Sequence, residues 1–183
     1  MAAWASLDRD TQLKWIEYET TAEPHRPPFD HKAHISGNNL FISAYHGFVL
    51  IGNEHTPDPH PFLMPPPFLV SFEAASVEGD ELFLTVDAHV SPDDCPDRYR
   101  LYSRLRLTYP GKGYGVRGMR GFLAAGDCSE KMSITIPGYT EIWNLHEERF
   151  QIQALSILLD SETGFRSQHQ RSSSIVTISS TGL

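Results

Sequence analysis

The sequence has few cysteines and no long apolar run. Its two cysteines, Cys95 and Cys128, are too far apart for a CxxC pair. No stretch approaches the roughly 18 consecutive apolar residues that a membrane-spanning helix needs. The first residues also lack the basic and apolar segments of a secretory signal. These absences predict reduced thiols in a cytoplasmic protein without a transmembrane segment.

Motifs for the common catalytic chemistries are also missing. The chain contains no GxSxG nucleophile elbow, no HExxH zinc motif and no GxxxxGK[ST] phosphate loop. Paired carboxylates such as Glu147 and Glu148 are sequence neighbours, which point apart unless a turn brings them together. The sequence therefore favours a non-enzymatic protein and predicts no catalytic residue and no cofactor.

Histidines are concentrated near the N-terminus, where six of the nine lie between residues 25 and 60. The HKAH segment supplies His31 and His34 as candidate metal ligands, with His46 and His55 to complete the coordination sphere. Surface histidines in a proline-rich connection are the simpler interpretation, and it predicts no metal. A small β-barrel enzyme or ligand carrier with a histidine-lined, metal-binding site remains the alternative function.

The pattern of apolar residues predicts a mainly β fold. One short amphipathic helix, capped by Ser6 or Asp8, ends ahead of Pro24. Beyond it, segments rich in β-branched and aromatic residues are separated by turn chemistry. The predicted strands are residues 40–51, 68–75, 81–90, 98–109, 132–136, 150–159 and 174–179. We expect an antiparallel β-sandwich or a partly open barrel of about seven strands.

The same pattern predicts a single domain. Residues 1–38 form the N-terminal helix and a Pro/His-rich connection, residues 39–180 form the β domain, and residues 181–183 form a tail. Six prolines between Pro57 and Pro67 favour a stiff crossover over a docking motif.

Charge is distributed unevenly along the chain, whose formal net charge is −8. Residues 1–97 carry a net −12, residues 98–120 carry +7 without any acid, and residues 121–183 carry −3. The basic segment falls on a predicted strand, where alternate side chains face opposite ways. One face holds Arg98, Arg100, Tyr102, Arg104 and Arg106, and the other holds Tyr99, Leu101, Ser103, Leu105 and Leu107.

Two interpretations of the arginine face are open. As a row of forked donors, it suits an extended polyanion, with Tyr102 placed to stack on a base or sugar. A hairpin with the preceding strand would instead set Arg100 opposite Asp87 and Arg106 opposite Glu81, and so neutralise half of the row.

The segment after this strand, PGKGYGVRGMRG, adds five glycines and three more basic residues. Its backbone is suited to follow a ligand closely, although a flexible hairpin tip explains it equally well. The candidate anion-binding residues are Arg98, Arg100, Tyr102, Arg104, Arg106, Lys112, Arg117 and Arg120.

The predicted function is therefore a binding or assembly protein that contacts an anionic partner. Single-stranded nucleic acid (RNA or DNA), an anionic membrane surface and an acidic protein face all fit this chemistry. Self-association fits as well, because a basic patch on one copy matches the acidic remainder of another. A structural component of a virus or phage is one setting for such a module.

Overall fold

The computed structural model describes residues 2–21, 35–90 and 96–179. By contact the chain divides into two compact units. The helical unit comprises Met1–Pro65 and Leu159–Arg166, and the sheet unit comprises Pro66–Leu158 and Ser167–Leu183. The domain boundary predicted after residue 38 falls inside a helix of the helical unit.

The helical unit begins with helices α1 (Ala2–Ala5) and α2 (Arg9–Glu17), followed by a 3-10 turn over Tyr18–Thr21. Asp8 caps α2, because its carboxylate accepts a hydrogen bond from the backbone N–H of Thr11 at 2.9 Å. The predicted N-terminal helix and one of its two predicted caps are confirmed.

Helix α3 (Gly37–Leu50) contradicts the strand predicted over residues 40–51. Its buried side chains, Leu40, Phe41, Ala44 and Phe48, recur at helical spacing and cover one face. Ser36 accepts a hydrogen bond from Asn39 N at 3.3 Å and caps the helix. The aromatic and β-branched residues of this segment favour a strand in isolation, but burial of a helical stripe decides the structure.

Aromatic side chains form the core of the helical unit. Trp15 and Phe41 are fully buried and meet edge to face at 5.8 Å between ring centroids. Phe165, from the segment that returns to this unit, lies edge-on to Trp15 at 6.5 Å. The returning segment packs tightly against α3, since a Cβ atom added to Gly47 would lie 1.8 Å from the carbonyl oxygen of Gly164.

Over residues 66–90, 96–158 and 167–179, the sheet unit contains seven strands, one short α-helix and the 3-10 turn Pro96–Arg98. In chain order the strands and the α-helix are β1 (Phe68–Glu78), β2 (Glu81–Val90), β3 (Tyr99–Thr108), β4 (Arg120–Leu123), β5 (Met132–Pro137), α4 (Tyr139–Trp143), β6 (Arg149–Asp160) and β7 (Gln170–Ser179). The strands form one sheet in the order β4-β3-β6-β7-β1-β2-β5, which is not closed. The predicted mainly β fold is confirmed.

Pairing within the sheet is mostly antiparallel. Ser103 of β3 bonds to Ser156 of β6, and Arg106 bonds to Gln153. Residue numbers therefore rise along β3 as they fall along β6, so this pair is antiparallel. The exception is β1 with β7, which are parallel and pair Ala75 with Ile178. This parallel pair joins the four strands β4-β3-β6-β7 to the three strands β1-β2-β5.

Both groups of strands bury their inner faces in one apolar core. In β2 the burial alternates strictly from Leu82 to Ala88, and β3 alternates in the same way. The far edges approach at one point, where Ala125, just beyond β4, forms an antiparallel bridge with Ser133 of β5. The sheet thus wraps around its core, and the exposed side chains on its outer face are the candidates for function, although Gln153 and Ile157 on the outer face of β6 are buried.

Candidate anion-binding site

The alternation predicted for the arginine strand is confirmed in β3. Arg104 is exposed, and its outward-facing neighbours Arg100, Tyr102 and Arg106 are partly buried. The inward-facing residues Tyr99, Leu101, Ser103, Leu105 and Leu107 are buried. The strand therefore presents a basic outer face, as the sequence indicates.

The hairpin between β2 and β3, one of the two interpretations of the arginine face, does not form. Strand β2 pairs with β1 and β5, whereas β3 lies between β4 and β6. The expected pairs of Arg100 with Asp87 and of Arg106 with Glu81 therefore do not form, and Glu81 lies opposite Glu78 instead. Burying the apolar faces of two consecutive strands requires a shared core, and it does not require that the strands be adjacent.

Arg106 is held by the protein itself. Its Nε and Nη2 atoms donate to Gln153 Oε1 at 3.0 and 2.7 Å, and its guanidinium also donates to the carbonyl oxygens of Gly113 and Arg117, each at 3.2 Å. Gln153 is fully buried and donates in turn to the carbonyl oxygen of Lys112 at 2.8 Å. Arg106 thus organises the loop and has little capacity left for a ligand.

Tyr114 holds the centre of the glycine-rich loop against the sheet. Its hydroxyl donates to the carbonyl oxygen of Ala154 on β6 at 2.8 Å. Burial raises the pKa of the Tyr114 phenol, while the charges of Arg171 and Arg106 lower it. The guanidinium carbon of Arg171 lies 5.6 Å from the centre of the Tyr114 ring. The loop is therefore fixed over β6 by the Tyr114 side chain and by backbone groups of Lys112, Gly113 and Gly115, which bond to Gln153.

Two further residues of the predicted row also have partners within the chain. Arg100 donates to the carbonyl oxygen of Asp97 at 2.9 Å and lies 3.8 Å from the carboxylate of Asp127. Tyr102 lies across Gly121, where a Cβ atom would be 1.8 Å from the phenol oxygen. A glycine on the edge strand thus makes room for the tyrosine ring.

The remaining candidates do not all share one surface. Arg120 pairs with Leu105, so its side chain projects on the opposite face of the sheet from Arg104. Lys112 and Arg117 are exposed on the loop, and Arg98 is partly buried at the end of the 3-10 turn Pro96–Arg98. Of the eight predicted residues, Arg104 is therefore the exposed arginine on the outer face of β3.

The structure adds two arginines that sequence reasoning misses. Arg104 lies opposite Leu155 in the β3–β6 register, and Leu155 pairs with Arg171 of β7. Two strand spacings separate the arginines, or about 10 Å. Arg149, also exposed, lies on the same face at the other end of β6. Only the strand order shows that these residues share the outer face of β3.

We call the outer surface of β3, β6 and β7 around Arg104, Arg149 and Arg171 the basic face. Strands β3, β4 and β7 carry no Asp or Glu, and β6 has a single acid, Asp160, at its far end and buried. None of the three arginines forms an ion pair with an acid in the described parts of the chain. The basic face is thus a positively charged surface of the sheet.

The described residues do not support the alternative function, an enzyme or carrier with a histidine-lined, metal-binding site. His46 lies on α3, and His46, His55 and His60 are exposed. His31 and His34 lie outside the described residues. Within residues 2–21, 35–90 and 96–179, no three His, Cys, Asp or Glu side chains are grouped as metal ligands. Over those same ranges, no helix is long and apolar enough to cross a membrane.

Comparison with known proteins yields distant structural likeness alone. No family model matches the chain, and no curated protein is significantly similar to it. The catalytically inactive OgpA from Akkermansia muciniphila, in complex with an O-glycopeptide substrate, is 18% identical, with 61% of this chain and 28% of that chain covered and a TM-score of 0.35. MtrC from Shewanella baltica is 9% identical, over 63% of this chain and 23% of its own, with a TM-score of 0.33.

AggA, the major subunit of aggregative adherence fimbriae type I from Escherichia coli, is 8% identical. The alignment covers 66% of this chain and all of AggA, with a TM-score of 0.29. These scores are too low to carry an inference about function, and this chain spans less than a third of OgpA and of MtrC.

Proposed function

We propose that this chain is a non-enzymatic binding module that contacts an anionic partner through its basic face. The observation that supports this proposal is the placement of Arg104, Arg149 and Arg171 on one outer surface of the sheet, where none of them forms an ion pair with an acid among the described residues. A protein of net charge −8 that segregates arginines in this way maintains a local positive potential. Charge is screened over about 8 Å at physiological salt, so the acidic remainder does not cancel it.

Local geometry makes this face suited to binding. Arg104 and Arg171 stand on strands of one sheet, so their spacing is set before a partner arrives and less conformational entropy is lost on binding. Between them lies Leu155, and the ring of Tyr114 lies beside Arg171, so the face also offers apolar surface. The guanidinium groups offer several forked donors, which match carboxylate and phosphate oxygens.

A salt titration tests the proposal. Three labelled polyanions are offered to the protein at low salt: single-stranded RNA, vesicles that contain phosphatidylserine, and polyglutamate. On RNA, each arginine–phosphate contact is expected to contribute about −0.7 to the slope of log K against log salt. Arg104→Ala and Arg171→Ala are each expected to reduce the slope by about that amount.

Arg120→Ala is the matched control, because it removes the same charge from the opposite face of the adjacent strand. Binding that weakens in the two face variants and persists in the control supports the proposal. The absence of binding to all three polyanions at low salt would overturn it. The polyanion that binds most tightly identifies the class of partner.

A further inference from the structure

The strands β1, β2 and β5 have the opposite charge distribution. Together with the turn that joins β1 to β2, they contain no Lys or Arg, and their acidic residues are Glu73, Glu78, Asp80, Glu81 and Asp87. The sheet unit is therefore basic on one group of strands and acidic on the other. This segregation points to an interaction surface on the acidic side as well.

The acidic residues gather at the β1–β2 hairpin. Glu78 lies directly opposite Glu81 on the outer face, and the turn between them consists of Gly79 and Asp80. Gly79 has a φ of 64°, a backbone conformation that suits glycine in a tight hairpin. We call Glu78, Asp80 and Glu81 the acidic tip.

Like charges directly across a strand pair destabilise a sheet, so the acidic tip is unfavourable in the isolated chain. Glu73, on the same strand, is neutralised by an ion pair with Lys131. The carboxylates of the tip form no ion pair with any Lys or Arg in the portions of the chain that are described. A cation supplied by another molecule would relieve this repulsion.

We propose that the acidic tip of one copy of this chain binds the basic face of a second copy. The inference rests on the proposed function, since it identifies the anionic partner of the basic face as the β1–β2 hairpin of another copy. Charge complementarity supports it: the tip presents carboxylates on a narrow turn, and Arg104 and Arg171 stand about two strand spacings apart on the face. Both surfaces belong to the sheet unit.

Such a contact joins two different surfaces, so each copy keeps an unused tip or face. Head-to-tail contacts of this kind extend into open chains unless their rotation closes a ring. We therefore expect association that grows with protein concentration. It disappears when salt rises from about 0.01 M to about 1 M, because the screening length falls from about 30 Å to about 3 Å.

A complementation experiment with neutral variants tests this arrangement. One variant loses the face (Arg104→Ala with Arg171→Ala), and the other loses the tip (Glu78→Gln with Glu81→Gln). In sedimentation at low salt, the parent mass is expected to rise with concentration while each variant alone stays monomeric. An equimolar mixture of the two variants is expected to form a complex of twice the monomer mass that does not grow further.

The controls remove the same charges elsewhere. Arg120→Ala lies on the opposite face from Arg104, and Glu141→Gln changes an exposed residue of α4. Both are expected to associate as the parent does, and thermal unfolding of every variant confirms that it is folded. Loss of association in either control would overturn the proposed surfaces.

Two outcomes separate this inference from the proposed function. The self-association is overturned if the parent stays monomeric up to about 1 mM at low salt, or if the two variants fail to complement each other. In either case, binding to RNA, vesicles or polyglutamate would still support the proposed function. No self-association and no binding to any of these polyanions would overturn both.

Discussion

The side-chain oxygen Oε1 of Gln153 accepts two hydrogen bonds from Arg106, at 3.0 and 2.7 Å from its Nε and Nη2 atoms. The same oxygen also accepts the backbone N–H of Gly115 at 3.0 Å. One buried amide therefore satisfies an arginine of β3 and the backbone of the loop that follows it. This arrangement makes the loop part of the sheet surface.

Replacement of Gln153 by Leu is expected to release the loop. The change keeps most of the side-chain volume but leaves Arg106 and the loop carbonyls without their partner, which costs about 1–3 kcal/mol of the free energy of unfolding. Urea denaturation measures the loss. Trypsin should also cleave after Lys112 and Arg117 faster than in the parent, because both residues lie on the released loop. Equal cleavage rates would show that Gln153 does not hold it.

Arg104 and Arg106 are two residues apart and are expected to respond differently to substitution. Arg106→Ala removes donors from Gln153, Gly113 and Arg117, so it should lower the free energy of unfolding by about 1–3 kcal/mol. Arg104→Ala changes an exposed side chain and should stay within about 0.5 kcal/mol of the parent, while it weakens anion binding. Equal destabilisation by both changes would contradict the different roles assigned to them.

Glycine is required where the return segment meets α3. Gly164 has a φ of 75°, and a Cβ atom there would lie 2.1 Å from the carbonyl oxygen of Ala44. Gly164→Ala is therefore expected to cost more than Gly52→Ala, since Gly52 has a φ of 73° with open space around it. The Gly52→Ala control should lose about 1–2 kcal/mol of the free energy of unfolding, because it introduces only the strain of a side chain in the left-handed conformation. Similar thermal midpoints for the two variants would exclude the steric clash.

Cys128 is expected to be an unreactive thiol in the folded protein. Burial raises its pKa to about 11, and the nearby Arg100 lowers the pKa by less than burial raises it. At pH 8 about one thiol in a thousand is therefore ionised, and the thiolate is the reactive form. In a Cys95→Ser background, a thiol reagent should modify Cys128 only after unfolding in urea. Rapid modification of the native protein would show that the site is open.

The raised pKa of Cys128 also makes stability depend on pH. The folded protein holds the thiol proton more tightly than the unfolded chain does, because a solvated cysteine ionises with an ordinary pKa of 9.0. The contribution of this thiol is therefore complete below pH 9 and is lost as the pH rises toward 11. Denaturation curves of the parent and of Cys128→Ala should differ in this window, and parallel pH profiles would contradict the shift.

Replacement of Glu78 by Gln is expected to stabilise the chain. The change removes the repulsion between Glu78 and Glu81 across the β1–β2 pair, which is worth about 0.2–1 kcal/mol. The gain should be greatest at low salt and shrink as salt is added. Glu141→Gln provides the control, because it removes one exposed acid from α4. An equal gain in the control would indicate a general effect of net charge.

Sequence periodicity predicts most strands because their alternation is local. The burial of Leu101, Leu105 and Leu107 follows directly from the two-residue period of β3. Strand β4 escapes prediction, since Arg120–Leu123 is too short for an alternating pattern to be visible. Helix α3 resembles a strand in sequence because its β-branched and aromatic residues outweigh the helical spacing of Leu40, Ala44 and Phe48.

The composition of the site is harder to predict than the strands. The sequence identifies Arg104, but the partners of Arg106 depend on Gln153, which lies 47 positions later in the chain. Likewise, Arg171 joins Arg104 only through the order β3-β6-β7. Long-range strand order is set by the burial of the whole core, and a local pattern does not contain that information.

Strand β7 lies in the middle of the sheet, between β6 and β1, although it follows every other strand in the chain. The two groups of strands that it joins are therefore without their connecting strand until the ribosome has synthesised β7, after the other six strands. Residues as distant as Ala75 and Ile178 must meet to complete the sheet, and such long-range closure is slow. Until then, the edges of β1 and β6 remain open to pairing with another nascent chain.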